Sequence, residues 1–368
     1  MSRKLLSLSL TAALMGGTAY ADVPKVAVDI APVHSLVSRV MDGVGAPNLV
    51  VQLGASPHEY SLRPSEARAL QEADVVFWVS AGLTPWLADT IETLSSDASV
   101  TELLETDGTV ELEFRENALF EKHDHSDHDE HEEEHDDHDD HDEHEEEHDD
   151  HDDHDEHEEE HDDHDDHDEH EEEHDGHDDH DEHEEEHDGH DDHDDHGHGA
   201  HDPHAWLSPN NAMNWLNVIA GQLSAADPEN AGEYFANAAA GRAEIEAVIG
   251  EVNATLAPVR GEKFIVFHDA YQYFENDFDF PAAGAISIGD ASDPSPARIA
   301  EIQARVADEG IDCVLAEPQF NPGLVATVLE GSQAHTGIID PLGADLELGA
   351  DFYPQLIKNL AASLAACQ

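Results

Sequence analysis

Three histidines stand at the ends of predicted strands or helices, where ligand sites gather in α/β proteins. His58 lies between a predicted strand and a helix, His204 precedes a helix, and His268 directly follows the strand Lys263–Phe267. Open α/β sheets bind ligands at the carboxyl ends of their strands. Three neutral imidazoles with one further ligand form a zinc donor set, whereas magnesium, calcium and manganese prefer more oxygen. The three together predict a zinc site, although each alone also fits a capping or core role.

Two series of alternating strands and helices surround these histidines, one over residues 24–106 and the other from residue 263 onward. Such alternation implies parallel sheets with helices on both faces. Between the series, residues 228–256 contain few helix breakers and would form a helix of roughly 44 Å, which is the predicted connector. The predicted strands are Val26–Ile30, Leu49–Val51, Val75–Val79, Lys263–Phe267, Ala283–Ile288, Cys313–Ala316 and Gly337–Ile339.

The first 21 residues have the features of a secretory signal peptide. Arg3 and Lys4 precede an apolar run too short to span a bilayer, and Ala19–Ala21 fits a cleavage site. A buried N-terminal helix is the alternative interpretation. Because no cysteine follows the cleavage site and no other apolar run could span a membrane, we expect a soluble periplasmic protein without direct membrane insertion.

The two cysteines, Cys313 and Cys367, suit an oxidising compartment. An isolated pair there usually forms one disulfide, and the start of a strand can reach the end of the last helix. Closing a loop of about 54 residues gives about 4 kcal/mol in the chain-entropy model. Two buried thiols are the alternative.

Residues 121–202 differ in composition from the rest of the chain. Of the 31 histidines, 26 lie in residues 123–201, and in residues 121–200 the 48 acidic side chains against one lysine contribute −47 to the net charge of −74. Such an acidic chain is a poor partner for nucleic acid. A 13-residue unit without an apolar face predicts a disordered His/acid-rich insert, not a solenoid. The unit begins at His131, His144, His157, His170 and His183.

Each repeat unit contains H-E-x-x-H, the pattern of zincin proteases. We reject a protease because no apolar face, third fixed ligand or cleft accompanies the pattern. Histidines four residues apart share a face if a helix forms, and dense carboxylates concentrate divalent cations. We therefore predict several weak, exchangeable zinc sites, with a merely solubilising tract as the alternative. The predicted auxiliary ligands are His131, His135, His144, His148, His157, His161, His170, His174, His183 and His187.

Four segments of the sequence resemble the zinc-uptake solute-binding proteins of bacterial ABC transporters, the ZnuA type. The likeness covers nearly all of residues 24–368 apart from the length of the repeat, and it includes the insert and the cysteine pair. It implies two α/β lobes, each a mostly parallel sheet flanked by helices, joined by one long helix, with zinc between the lobes. The segments are Gly54–Ser65, His204–Pro209, Phe267–Tyr271 and Ala316–Phe320.

The resemblance implies that His58, His204 and His268 bind the zinc ion, and it leaves the fourth ligand open. Related metal-binding proteins use a carboxylate at the position of Asp340, whereas the zinc type uses Glu59 or water, which we favour. The implied partner is the membrane permease of a zinc ABC transporter, and we expect a monomer. The predicted organisation is a signal peptide (1–21), an N-terminal lobe (22–120 and 203–227), the insert (121–202), the connecting helix (228–258) and a C-terminal lobe (259–368).

Three functions compete for this sequence. The first is zinc capture and delivery to the permease, with the insert as an auxiliary collector or sensor. The second is a periplasmic metal buffer in which the repeat is the main function. The third is a zinc-dependent hydrolase, which needs a general base; Glu59 is the only candidate, and no nucleophile or oxyanion motif accompanies it. We predict the first function and no enzymatic activity.

Acid should release zinc from the insert before it releases zinc from the three-histidine site. Free histidine titrates near pH ~6.5, and protonation of all 26 histidines would change the charge of residues 121–201 from −47 to −21. We expect the insert to lose its zinc at about pH 5–6, while the enclosed site retains its ion to lower pH. A pH titration of bound zinc that shows a single class of site would contradict this.

Overall fold

The computed structural model describes residues 23–115, 120, 201–287 and 294–367. The predicted signal peptide and the ten predicted auxiliary ligands of the insert lie outside the described residues. Among the helices that are described, none is long and apolar enough to cross a membrane.

The N-terminal lobe contains seven of the described elements. They are β1 (Val26–Val28), α1 (Ala31–Val40), β2 (Asn48–Leu49), α2 (Pro64–Gln71), β3 (Val75–Trp78), α3 (Pro85–Leu94) and β4 (Ser99–Glu102). All strand pairs are parallel, in the order β2-β1-β3-β4. The central strands β1 and β3 are fully buried, apolar runs, which is typical of strands covered by helices on both faces. Strand β4 was not predicted, because its two first residues are exposed and it has no apolar run.

The remaining elements include a second parallel sheet. They are α4 (Pro209–Ala226), α5 (Ala231–Leu256), β5 (Phe264–His268), α6 (Gln272–Phe278), β6 (Gly284–Ser287), α7 (Pro296–Glu309), β7 (Cys313–Ala316), α8 (Pro322–Val328), β8 (His335–Ile338) and α9 (Phe352–Ala366). The strand order is β6-β5-β7-β8. The predicted α/β fold with two mostly parallel sheets is confirmed, with strand ends that differ from the prediction by one or two residues.

Helix α5 joins the two lobes. Its 26 residues correspond to a length of about 39 Å. The helix packs against α1 and α4, and also against α9. Arg39 of α1 makes a two-pronged ion pair with Glu244, and Lys358 of α9 pairs with Glu251. The buried residues of α5 belong to a hydrophobic core that includes residues of both sheets. The connector is therefore packed along its length.

The predicted disulfide joins Cys313 to Cys367, with the two Cα atoms 5.6 Å apart. It links the start of β7 to the end of α9, and both cysteines are buried. Gly337 of β8 lies against this bridge. A Cβ atom on Gly337 would approach the sulfur of Cys367 to 2.7 Å and a methyl group of Leu315 to 2.8 Å. The disulfide can pack here because residue 337 has no side chain.

Replacing Gly337 by alanine should therefore destabilise the protein. We expect Gly337→Ala to lower the free energy of unfolding by about 1–3 kcal/mol, the usual cost of overpacking a core. Gly250→Ala is the matched control, because Gly250 is exposed in the interior of α5 and a Cβ there meets nothing within 4 Å; it should gain about 0.5–1 kcal/mol. Chemical denaturation of both variants measures the difference, and equal stabilities would contradict the packing argument.

Candidate metal centre

The structure brings His58, His204 and His268 together, as expected from the sequence. His58 lies in the loop between β2 and α2, His204 precedes the short turn that leads into α4, and His268 ends β5. One ring nitrogen from each lies within 4.8 Å of the other two. A tetrahedral zinc ion with bonds of about 2.0–2.1 Å to nitrogen separates its ligand atoms by about 3.3 Å. Small side-chain rotations would therefore complete a three-nitrogen site.

Two of these rings are each hydrogen-bonded to a buried carboxylate. Nδ1 of His204 lies 2.7 Å from Asp202, and Nδ1 of His268 lies 2.6 Å from Glu317. A carboxylate only accepts hydrogen bonds, so each ring carries its proton on Nδ1 and turns the lone pair of Nε2 outward. Both pairs are almost fully buried, whereas His58 is half-buried. Two of the three imidazoles are thus oriented before any ion binds.

Asp202 is itself fixed by the chain around it. Its carboxylate also accepts the backbone N–H of His204, at 3.0 Å. Its backbone N–H donates to the carbonyl of Leu112, and its carbonyl accepts the hydroxyl of Tyr273 at 2.7 Å. The sequence analysis did not assign this role to Asp202, although a carboxylate two residues before a predicted ligand was a usable signal.

Glu317 follows β7, the strand that pairs with β5. Parallel pairing of the two strands sets Glu317 beside His268, 49 residues earlier in the chain. Its side chain is fully buried. Its orienting role was also missed, since it depends on which strands are neighbours in the sheet.

The three rings face a small pocket between the lobes. Its free volume is about 20 Å³, which is room for an ion or about one water molecule. The pocket is lined by Ser56, Pro57, His58, His204, Trp206, His268, Glu317, Gln319, Phe320, Pro341 and Leu342.

The structure does not bring the two other candidate ligands into this cluster. Glu59 is exposed to solvent. The carboxylate of Asp340 accepts the backbone N–H groups of Leu342, Gly343 and Ala344, at 3.0, 3.0 and 2.6 Å. Among the described residues, the group whose ligand atoms converge within 4.8 Å consists of the three histidines.

A buried ion cluster lies next to His268. Arg115 pairs with Asp269 and with Glu275, and its guanidinium carbon lies 3.5 Å from the ring centroid of Phe120. Burial raises the pKa of Asp269 to about 6, while Arg115 opposes the shift. Because Arg115 precedes the insert, these contacts attach that part of the chain to the lobe that carries His268.

Trp206 connects the segment of His204 to the loop after β8. Its indole N–H donates to the carbonyl of Pro341 at 2.9 Å, and its own carbonyl accepts the hydroxyl of Tyr353 at 2.9 Å. All of Trp206 is buried, and its ring packs against that of His204. This segment is therefore held to the second lobe.

Comparison with known proteins identifies the family of this chain. Residues 26–367 match the family described as zinc-uptake complex component A, periplasmic. The chain belongs to this family. The high-affinity zinc uptake system protein ZnuA of Brucella abortus (strain 2308) is 43% identical over 362 residues, which cover 98% of this chain and 97% of that protein. The protein of the same name from Paracoccus denitrificans (strain Pd 1222) is 42% identical over 366 residues, with 98% and 97% covered.

Solved structures agree on the fold. A crystal structure of ZnuA has a TM-score of 0.64 at 19% identity and covers 94% of this chain and 99% of its own. FpvC of Pseudomonas aeruginosa, solved in complex with Mn²⁺, has a TM-score of 0.65 at 15% identity, with 94% and 98% covered. The family consists of periplasmic solute-binding components of a zinc transport system and is not a family of enzymes.

Neutralising either buried carboxylate should weaken metal binding. Asp202→Asn and Glu317→Gln keep the side-chain shape but no longer hold the imidazole proton on Nδ1. We expect the dissociation constant for zinc to rise about 10–100-fold in each, as is usual for partners of metal-bound histidines. Competition with a chelating dye measures it. Asp308→Asn, at an exposed position of α7, is the control and should bind zinc like the unaltered protein; equal losses in all three would refute the orienting role.

Proposed function

We propose that this protein captures one zinc ion on His58, His204 and His268 and delivers it to the membrane permease of a zinc ABC transporter. The convergence of three imidazoles on one pocket, two of them backed by buried carboxylates, carries this proposal. Nitrogen ligands suit zinc better than they suit magnesium, calcium or manganese. The relatives at 42–43% identity are named for high-affinity zinc uptake.

The pocket supports a carrier and not a hydrolase. A hydrolase requires a substrate groove and a general base beside the metal. The space here is about 20 Å³. The base that the sequence suggested, Glu59, is an exposed residue that does not join the cluster, and the carboxylate that lines the pocket, Glu317, is engaged by His268.

Delivery requires a surface from which the ion can leave. His58 is half-buried and lies on a loop, while the other two ligands are buried, so we place the exit for zinc on the side of His58. A single packed helix, α5, joins the lobes, and we expect only modest closure about it, because such a helix bends less readily than flexible linking strands. Export by cleavage after Ala21 would place the protein beside its permease.

The insert is proposed as an auxiliary zinc collector. Its histidines and carboxylates supply weak ligands, and its two ends lie at the site: Phe120 packs on Arg115, which pairs with the neighbour of His268, and His201 lies three residues before His204. Ions gathered by the insert would therefore be released near the pocket.

Variants that lack a single histidine or the insert distinguish the carrier hypothesis from the buffer hypothesis. His58→Ala, His204→Ala and His268→Ala should each weaken the tight zinc site by more than about 100-fold, beyond the effect of losing a ligand's partner. His335→Ala, at an exposed position in β8, should leave it unchanged. A protein lacking residues 121–200 should still bind one zinc ion tightly and support growth in low zinc.

Calorimetry of these variants gives both the number of zinc ions bound and the affinity. If the shortened protein loses its tight site while the histidine variants keep theirs, the repeat is the main function and the buffer hypothesis holds instead.

A further inference from the structure

The loop that carries His58 is hydrogen-bonded to an indole of helix α3. The N–H group of Trp86 donates to the carbonyl of Pro57, the residue directly before His58, at 2.7 Å. Trp86 lies in the first turn of α3, which follows β3, whereas the loop follows β2. The contact therefore joins the backbone next to a candidate zinc ligand to a side chain 29 residues further along the chain.

This hydrogen bond restricts a residue whose backbone already has little freedom. The ring of Pro57 holds its φ angle at about −65°, and the hydrogen bond from Trp86 fixes the direction of its carbonyl, which depends on ψ. Because the peptide unit is planar, the same carbonyl direction determines where the Cα atom of His58 lies. Both dihedral angles that lead into His58 are thus restrained, one by the proline ring and the other by the indole.

Trp86 is itself held by the first lobe. It is half-buried and packs against a hydrophobic cluster of that lobe, and its ring centroid lies 5.7 Å from that of Tyr60, two residues after His58. The hydroxyl of Tyr60 donates to the buried carboxylate of Glu66 at 2.9 Å, and Glu66 also accepts the backbone N–H of Arg63 at 2.7 Å. The loop is therefore attached to the first lobe on both sides of His58.

We propose that Trp86 is a positioning residue for zinc binding, whose indole N–H holds His58 in place before the ion binds. Pro57 and His58 both line the metal pocket, and a ring nitrogen of His58 lies within 4.8 Å of those of the two other histidines. A ligand that is ordered in advance loses less conformational freedom on binding, which raises the affinity. The inference rests on the proposed function, in which His58 is a zinc ligand.

Trp86→Phe tests the inference in solution, because phenylalanine keeps an aromatic ring beside Tyr60 but has no N–H group. The dissociation constant for zinc should rise about 2–10-fold, the effect of one hydrogen bond. Trp78→Phe is the matched control, since Trp78 belongs to the same hydrophobic cluster and its indole nitrogen has no hydrogen-bond partner among the described residues. It should leave the affinity unchanged. Competition with a chelating dye measures both variants, and equal affinities would overturn the inference.

A crystal structure of the full-length protein without metal tests the geometry independently of any substitution. We expect the indole nitrogen of Trp86 within about 2.7–3.2 Å of the carbonyl oxygen of Pro57, with His58 in the position that it occupies in the zinc-loaded protein. A loop that lies elsewhere in the metal-free protein, without the hydrogen bond to Trp86, would show that His58 is not held in advance and would overturn the inference.

A double-mutant cycle shows whether Trp86 acts through His58. Trp86→Phe should weaken zinc binding in the otherwise unaltered protein and have no further effect in a protein that already carries His58→Ala. An equal loss in both backgrounds, or a lower melting temperature with unchanged affinity, would mean that Trp86 has a merely structural role, and the inference would fail while the proposed function stands. If His58→Ala alone leaves the affinity unchanged, the proposed set of zinc ligands fails instead.

Discussion

The structure depends on pairing each of two buried imidazoles with a buried carboxylate. Without Asp202 and Glu317, the rings of His204 and His268 could present either nitrogen to the pocket, and half of these arrangements would offer a proton where a lone pair is needed. Burial strengthens the interaction, since few water molecules compete for the hydrogen bonds. The fold meets this requirement by ending β5 and β7 side by side and by anchoring the segment of Asp202 to helix α6.

The same arrangement explains why the two lobes act together. His204 belongs to a segment that follows the insert, yet its hydrogen bonds run to the second lobe through Trp206 and Tyr273. Arg115 adds an ion cluster in which one guanidinium pairs with two buried carboxylates. Such a cluster contributes little net stability but is costly to break, because the groups left behind remain buried and charged. The ligands from different parts of the chain are thereby held in one frame.

Much of this could be predicted from the sequence. The buried strands β1, β3 and β5 are short apolar runs. Helix α7 begins after Ser295, which caps it, and ends at Gly310 in the left-handed conformation, and serine and glycine are common at these two positions. The three histidines were found because strand ends and helix starts are visible in the sequence. Glu317 was not assigned its orienting role, since that role follows from a side-chain contact across paired strands that sequence spacing does not specify.

The attachment of the insert has a consequence for how such proteins evolve. Its two ends are joined by the fold itself, through the hydrogen bond from Asp202 to Leu112 and the bridge between His201 and Glu113. In proteins generally, doubling the length of a connecting segment adds only about 0.6 kcal/mol to the cost of closing it. Tandem units of nearly identical sequence can therefore be duplicated or deleted in the gene at little cost to the folded part of the protein.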